Sequence, residues 1–306
     1  MKLTVLTDNT ARIDAYYLAE AGVSYYIQDG GKNILFDTGY SDVYVRNAEA
    51  MQIDLRQLDT IVFSHGHNDH TGGLRYLPED IRDIRVLAHP DAFRPKRYDG
   101  ESIGTPIEQA QLASRFRLEP SSVPAALTER LFFLGEIPRT NSFENKSPIG
   151  ERLINGIWEP DYVLDDSALV YCGEKGLTII TGCSHAGICN ITEYAKAVCG
   201  DDRIAGIIGG FHLLDITPQV KRPPTICASN IQASCVRAIA PAFTPAPRFI
   251  IRFRSKSSAW EMSWKSCNLL QYHSCAASSS RSSSSSRSIS SRSIFVDFLG
   301  FLTSFG

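Results

Sequence analysis

The stretch Ser64-His65-Gly66-His67-Asn68-Asp69-His70-Thr71-Gly72-Gly73 constrains this chain more than any other. It places three histidines and one aspartate between positions 65 and 70. An apolar run, Thr60-Ile61-Val62-Phe63, precedes it and reads as a buried strand. Two glycines close it, which suits a tight turn into a helix. Neutral imidazole and carboxylate are standard ligands for zinc and similar divalent ions. The spacing suits two adjacent ions, with His65 and His67 pointing one way and Asp69 and His70 towards a neighbouring position.

Other strand ends carry the same kind of residue. Phe36-Asp37-Thr38-Gly39, Gly135-Glu136-Ile137-Pro138-Arg139, Thr181-Gly182-Cys183-Ser184-His185-Ala186-Gly187 and Gly209-Gly210-Phe211-His212-Leu213 all leave apolar, strand-like runs. With the His-x-His-x-Asp-His core, these motifs resemble the metallo-β-lactamase superfamily. More closely, they resemble its branch related to the dihydropterin ribofuranosyl-aminobenzene phosphate synthases. The resemblance covers about residues 1–215. It implies an α+β fold, a four-layer αββα sandwich, and a metal-dependent hydrolase that uses a metal-bound hydroxide on an ester or phosphoester-type small molecule. The implied cofactors are two divalent ions, zinc by expectation, held by His65, His67, Asp69, His70 and His185. Asp69 would also orient the attacking water, and His212 would touch substrate or leaving group. Redox di-iron flavoproteins of the same superfamily carry Glu at the position of His67. The alternatives are a pterin-pathway transferase or a damaged, inactive form.

Several residues keep two readings. Asp37 either hydrogen-bonds a metal-bound histidine from behind or caps the helix expected over Ser41–Met51. His89, in Ala88-His89-Pro90, either reaches the site or is structural. Arg139 either meets an anionic substrate or forms a surface ion pair. Cys183 is read as filling a small buried position, with metal ligation the alternative. His212 is a ligand, a proton donor or a substrate contact.

In chain order, strands are expected at Lys2–Thr7, Gly22–Ile27, Asn33–Phe36, Thr60–Phe63, Ile84–Ala88, Leu131–Leu134, Asp166–Tyr171, Gly176–Ile180 and Ala205–Ile208, with a hairpin at Asp29-Gly30-Gly31. A second helix is expected over Ile188–Cys199. Residues 90–128 and 140–165 read as irregular, the first as either a lid or a disordered surface loop.

The net charge of −2 points to no particular partner, but it conceals a split. Residues 1–215 carry 20 Lys and Arg against 31 Asp and Glu, and residues 216–306 carry 11 against 2. All eight cysteines follow residue 171 without a small-domain disulfide spacing, and they read as free thiols. The opening residues are too short and soon too polar for a signal peptide, and no stretch reaches the length of a membrane span. The expectation is therefore a cytoplasmic protein, and a small-molecule substrate is expected, with neither nucleic acid nor membrane as partner.

The pattern breaks after His212. The superfamily resemblance calls for one more ligating histidine, in a Pro-Cys-His-Cys-Thr-like segment, and a Gly-Val-Gly strand. Neither is present, and the only later histidine is His273. Residues 278–293 hold twelve serines and three arginines, too little charge to argue for RNA. Codons for Trp260–Lys265, read one base earlier, can spell Gly-(Asn/Asp)-Glu-Leu-Glu, close to the ending that the resemblance expects. The expected organisation is thus a domain over 1–220 and a frame-shifted, poorly ordered tail over 221–306, with a weak second metal position.

Overall fold

The computed structural model describes residues 1–11 and 16–212. The tail boundary, the frame-shift reading and His273 lie outside the described residues.

The first sheet comprises β1 (Lys2–Thr7), β2 (Ser24–Asp29), β3 (Lys32–Phe36), β4 (Thr60–Val62), β5 (Arg85–Leu87) and, at its far edge, β8 (Arg117–Leu118), in that order. The second comprises β9 (Ala125–Ala126), β10 (Leu131–Phe133), β13 (Ala168–Gly173), β14 (Gly176–Thr181) and β15 (Ile204–Ile208), ordered β15-β14-β13-β10-β9. Their facing side chains form one core: Leu3, Ile27, Ile34, Phe36, Val62 and Leu87 meet Leu131, Phe133, Leu169, Ile180 and Ile208. This is the alternation of half-buried strands at work, with every second residue turned inward.

Each sheet buries its other face beneath a helix. Helix α1 (Val43–Ala50) places Tyr44 and Ala48 against Leu35, Ile61 and Phe63. Helix α4 (Ile188–Cys199) places Ile191 and Ala195 against Val170, Leu177 and Ile179. Three apolar clusters separated by two sheets make four layers, αββα, as expected.

The segments read as irregular are structured. Residues 90–128 hold β6 (Lys96–Tyr98), β7 (Glu101–Ser102), helix α3 (Gln109–Arg115) and the strands β8 and β9. Residues 140–165 hold a hairpin, β11 (Glu151–Ile154) and β12 (Ile157–Pro160), which joins β6 and β7 in a third sheet ordered β12-β11-β6-β7. Its turn is Asn155-Gly156, both at positive φ (50° and 83°), the dipeptide that two-residue hairpin turns favour.

Strand direction decides where the site falls. β3, β4 and β5 run parallel, as do β14 and β15. Asp37 leaves β3, the histidine loop leaves β4, Cys183 and His185 leave β14, and His212 leaves β15. No helix among the described residues is long and apolar enough to cross a membrane.

Candidate metal centre

The loop after β4 is held from below. Gly66 is tightly enclosed, and a Cβ built there would stand 2.0 Å from the Ala92 carbonyl oxygen. Gly182 permits the other close approach, since its Cβ would fall 2.1 Å from Ser64 Oγ. Short helix α2 (Asn68–Thr71) then turns His70 back towards His65.

His65 and His70 are fully buried, and His67 and His185 are 7% and 8% exposed. The ring centroid of His65 lies 4.6 Å from that of His67, 4.3 Å from that of His70 and 4.7 Å from that of His185. His212, exposed, adds a ring 4.5 Å from His185. His65 Nε2 and His67 Nδ1 stand 3.1 Å apart. Burial and its imidazole neighbours hold His65 far below the usual histidine range. Burial and the Lys96 charge push His67 down to about 4, and burial with His67 and His212 holds His185 well down. All three are therefore neutral at pH 7, the state in which imidazole binds a metal.

His70 is treated differently. Burial opposes its proton, but Cys183, Asp69 and Asp37 outweigh burial and lift its pKa well above the usual range. Asp37 Oδ2 sits 2.7 Å from His70 Nδ1 and accepts from Ser64 Oγ at 2.6 Å, while Oδ1 accepts from the Ser64 N–H at 2.7 Å. With Nδ1 donating to Asp37, Nε2 is the nitrogen turned to the centre, 3.0 Å from Cys183 Sγ and 3.6 Å from Asp69 Oδ2, and an ion bound there would displace the proton that the raised pKa keeps on it. This is the carboxylate–histidine arrangement that fixes tautomer and ring orientation at metal sites. Asp37 does not cap α1, whose N-cap is Asp42. Asp37, Ser184 and His212 all have positive φ, at 58°, 58° and 45°. Such backbone strain clusters where a site holds it in place.

These residues fit a metal. Among the described residues, neither ring nitrogen of buried His185 has a hydrogen-bond partner. Two imidazole nitrogens facing each other at 3.1 Å approach the edge of a zinc tetrahedron, about 3.4 Å for metal–nitrogen bonds near 2.1 Å. Three groups place potential ligand atoms within 4.8 Å of one another: His65, His67 and His185; His65, His70 and Cys183; and Cys183, His185 and His212.

Two of the open readings meet other partners: His89 takes its structural role, and Arg139 bonds to the backbone in place of the expected surface ion pair. His89 accepts from the Asp91 N–H through Nδ1 and faces Glu136 through Nε2 at 3.3 Å, so both nitrogens are engaged away from the centre. Arg139 donates to the backbone carbonyls of Ile137 and Val163.

The sequence reading missed a buried layer behind the site. Lys96 is 1% exposed, and its Nζ lies 2.7 Å from Asp161 Oδ2 and 2.8 Å from Asp165 Oδ1. The other Asp165 oxygen accepts from the Gly66 N–H at 2.8 Å, between two of the histidines. Asp166 accepts from the Ala186 N–H at 2.8 Å, next to His185, and its Oδ1 is 3.9 Å from His65 Nδ1. Burial pushes Asp166 up to about 7. Residues 161–166 therefore brace both metal-facing loops. The adjacent pair Asp165-Asp166 before a strand was the available signal. Lys96 gave none, because a lysine in a polar stretch reads as solvated.

Comparisons agree with this geometry. The family whose profile matches is the metallo-beta-lactamase superfamily, over residues 18–198. An uncharacterized protein of Methanocaldococcus jannaschii is 35% identical over 217 residues, covering 70% of this chain and 80% of its own length. The 7,8-dihydropterin-6-methyl-4-(beta-D-ribofuranosyl)-aminobenzene-5'-phosphate synthase of the same organism is 33% identical over 232 residues, covering 70% and 78%. A crystal structure of a metal-dependent hydrolase of the beta-lactamase superfamily superposes with a TM-score of 0.62 at 30% identity, covering 72% of this chain and 81% of the other. In sequence and in architecture alike, the chain belongs to the metallo-beta-lactamase superfamily.

Proposed function

We propose that this protein is a metal-dependent hydrolase acting on an ester or phosphoester-type small molecule. The observation that carries the reading is the convergence of His65, His67 and His185, all buried and neutral, with both His185 nitrogens unpartnered among the described residues. His65, His67 and His185 would hold one divalent ion, and Asp69 and His70 would bear on a second, with zinc the expected metal. An ion held there supplies Lewis acidity, polarising a carbonyl or phosphoryl oxygen and lowering the pKa of water from 15.7 towards about 7.

The chain's own residues do the rest. Asp69, with its side chain one-third exposed, stands at the open side of the centre. Its carboxylate accepts a hydrogen bond from the attacking water and aims that water at the substrate. Asp37 holds the Nδ1 proton of His70, so Nε2 is the nitrogen that would give up its proton and take an ion. His212, exposed beside His185, donates a proton or hydrogen bond to the departing oxygen.

A second reading, transfer in a pterin pathway, draws on the 33% identity to the dihydropterin ribofuranosyl-aminobenzene phosphate synthase. Steady-state assays with a pterin diphosphate plus the aminobenzene acceptor, against simple phosphodiesters and esters, separate the two. Metal-dependent release of alcohol from an ester or phosphodiester supports hydrolysis. Coupled product from the pterin donor with no hydrolysis of the simple substrates overturns it.

A further inference from the structure

We propose that Cys183 is a thiolate ligand of the second metal position, beside His70. The inference rests on the metal-centre reading above and names a ligand beyond the histidine and aspartate set.

Three observations converge on the sulfur. Cys183 Sγ lies 3.0 Å from His70 Nε2, the ring nitrogen turned to the centre because Asp37 engages Nδ1. Asp69 Oδ2 lies 3.6 Å from the same nitrogen. Cys183 also belongs to two of the three ligand groups. One joins it to His65 and His70, and the other to His185 and His212, so the sulfur stands at the seam between the two halves of the centre. His185, two residues on and buried, keeps both ring nitrogens unpartnered among the described residues, which marks this seam as ligand-binding independently of the sulfur. The loop is pinned there. Ser184, between the two, sits at φ 58° and donates through Oγ to the Gly210 carbonyl at 2.6 Å.

Coordination breaks the Cys183 S–H bond and the His70 Nε2–H bond and releases both protons to solvent, and the sulfur and nitrogen lone pairs form the new bonds to the ion. A thiolate makes the second position prefer zinc, cobalt(II) or cadmium over magnesium or manganese, which favour all-oxygen surroundings. Reading Cys183 as a small buried filler leaves unexplained why its sulfur faces a histidine ring nitrogen instead of apolar carbon. The competing account is an S–H···N hydrogen bond with no metal role.

Cobalt(II) titrated into the chelator-stripped full chain decides between them by absorption, without reference to turnover. The expected result is a thiolate-to-cobalt charge-transfer band in the near ultraviolet, growing with the second equivalent. In Cys183→Ser that band disappears, the visible d–d bands of the histidine position remain, and the second ion binds weaker by on the order of 10-fold or more. A wild-type protein with d–d bands but no near-ultraviolet band overturns the proposal and leaves the histidine centre standing. A band that survives in Cys183→Ser overturns it as well. No cobalt bands of either kind sink the proposal and the metal-centre reading together.

Discussion

Asp37→Asn isolates what the buried carboxylate contributes. The substitution keeps volume and can keep one contact, because the amide oxygen can still accept from the Ser64 N–H where Oδ1 does at 2.7 Å. The amide NH2 then replaces Oδ2, which faces Ser64 Oγ at 2.6 Å and His70 Nδ1 at 2.7 Å. The serine hydroxyl can rotate to accept. With an ion bound, His70 has one ring proton and can adapt only by moving it to Nε2, the atom that faces Asp69 and Cys183, and a protonated Nε2 cannot ligate. If the amide flips instead, the buried Ser64 N–H loses its acceptor. One interaction is lost in either orientation, so zinc affinity should fall about 10–100-fold, or about 1.4–2.7 kcal/mol. Competition against a chromophoric chelator measures this, with the melting curve of the metal-free protein as a control for folding. Unchanged zinc affinity in a folded Asp37→Asn variant refutes the argument and reduces Asp37 to a residue that ends β3.

Other perturbations probe the same centre. His67→Ala should lower bound metal, measured by plasma emission, and abolish hydrolysis; full metal and full rate together contradict its role. Lys96→Met strands two buried carboxylates and should cost about 3–5 kcal/mol in urea unfolding. Burial alone would raise the Asp165 pKa, but the Lys96 charge outweighs it and holds Asp165 below the usual range. Its stabilisation is therefore whole above about pH 4, the unfolded aspartate value, and is lost as pH falls through the lower folded one. The gap between wild type and Lys96→Met should narrow on acidification, and a gap independent of pH argues against the ion trio. Gly66→Ala puts a methyl group 2.0 Å from the Ala92 carbonyl and should destabilise the loop by about 1–3 kcal/mol, with weaker zinc binding as its signature; wild-type zinc affinity refutes the fit.

The sequence was most readable where one chemical signal dominates. Strands such as β13 and β14 carry near-continuous apolar runs, and helix α4 over Ile188–Cys199 follows its periodicity. The dense histidine loop announced its chemistry because polar ligand residues rarely gather at a strand end for other reasons. The third sheet was missed because its strands are two to four residues long and face solvent on much of their surface, so no apolar pattern marks them. Its Asn155-Gly156 turn was the signal to use. The Lys96–Asp161–Asp165 trio was illegible for another reason. Its members are 65 and 69 residues apart in the chain, and only the fold makes a buried neutralised cluster of charges that composition assigns to the surface.

The most direct test of the account is initial-rate hydrolysis of chromogenic esters and phosphodiesters by chelator-stripped protein, before and after zinc is returned, with His67→Ala alongside. The account predicts no turnover when stripped, recovery with zinc for at least one substrate, and none in His67→Ala. Undiminished turnover by the stripped protein, or zinc-loaded wild type that hydrolyses none of them, contradicts it.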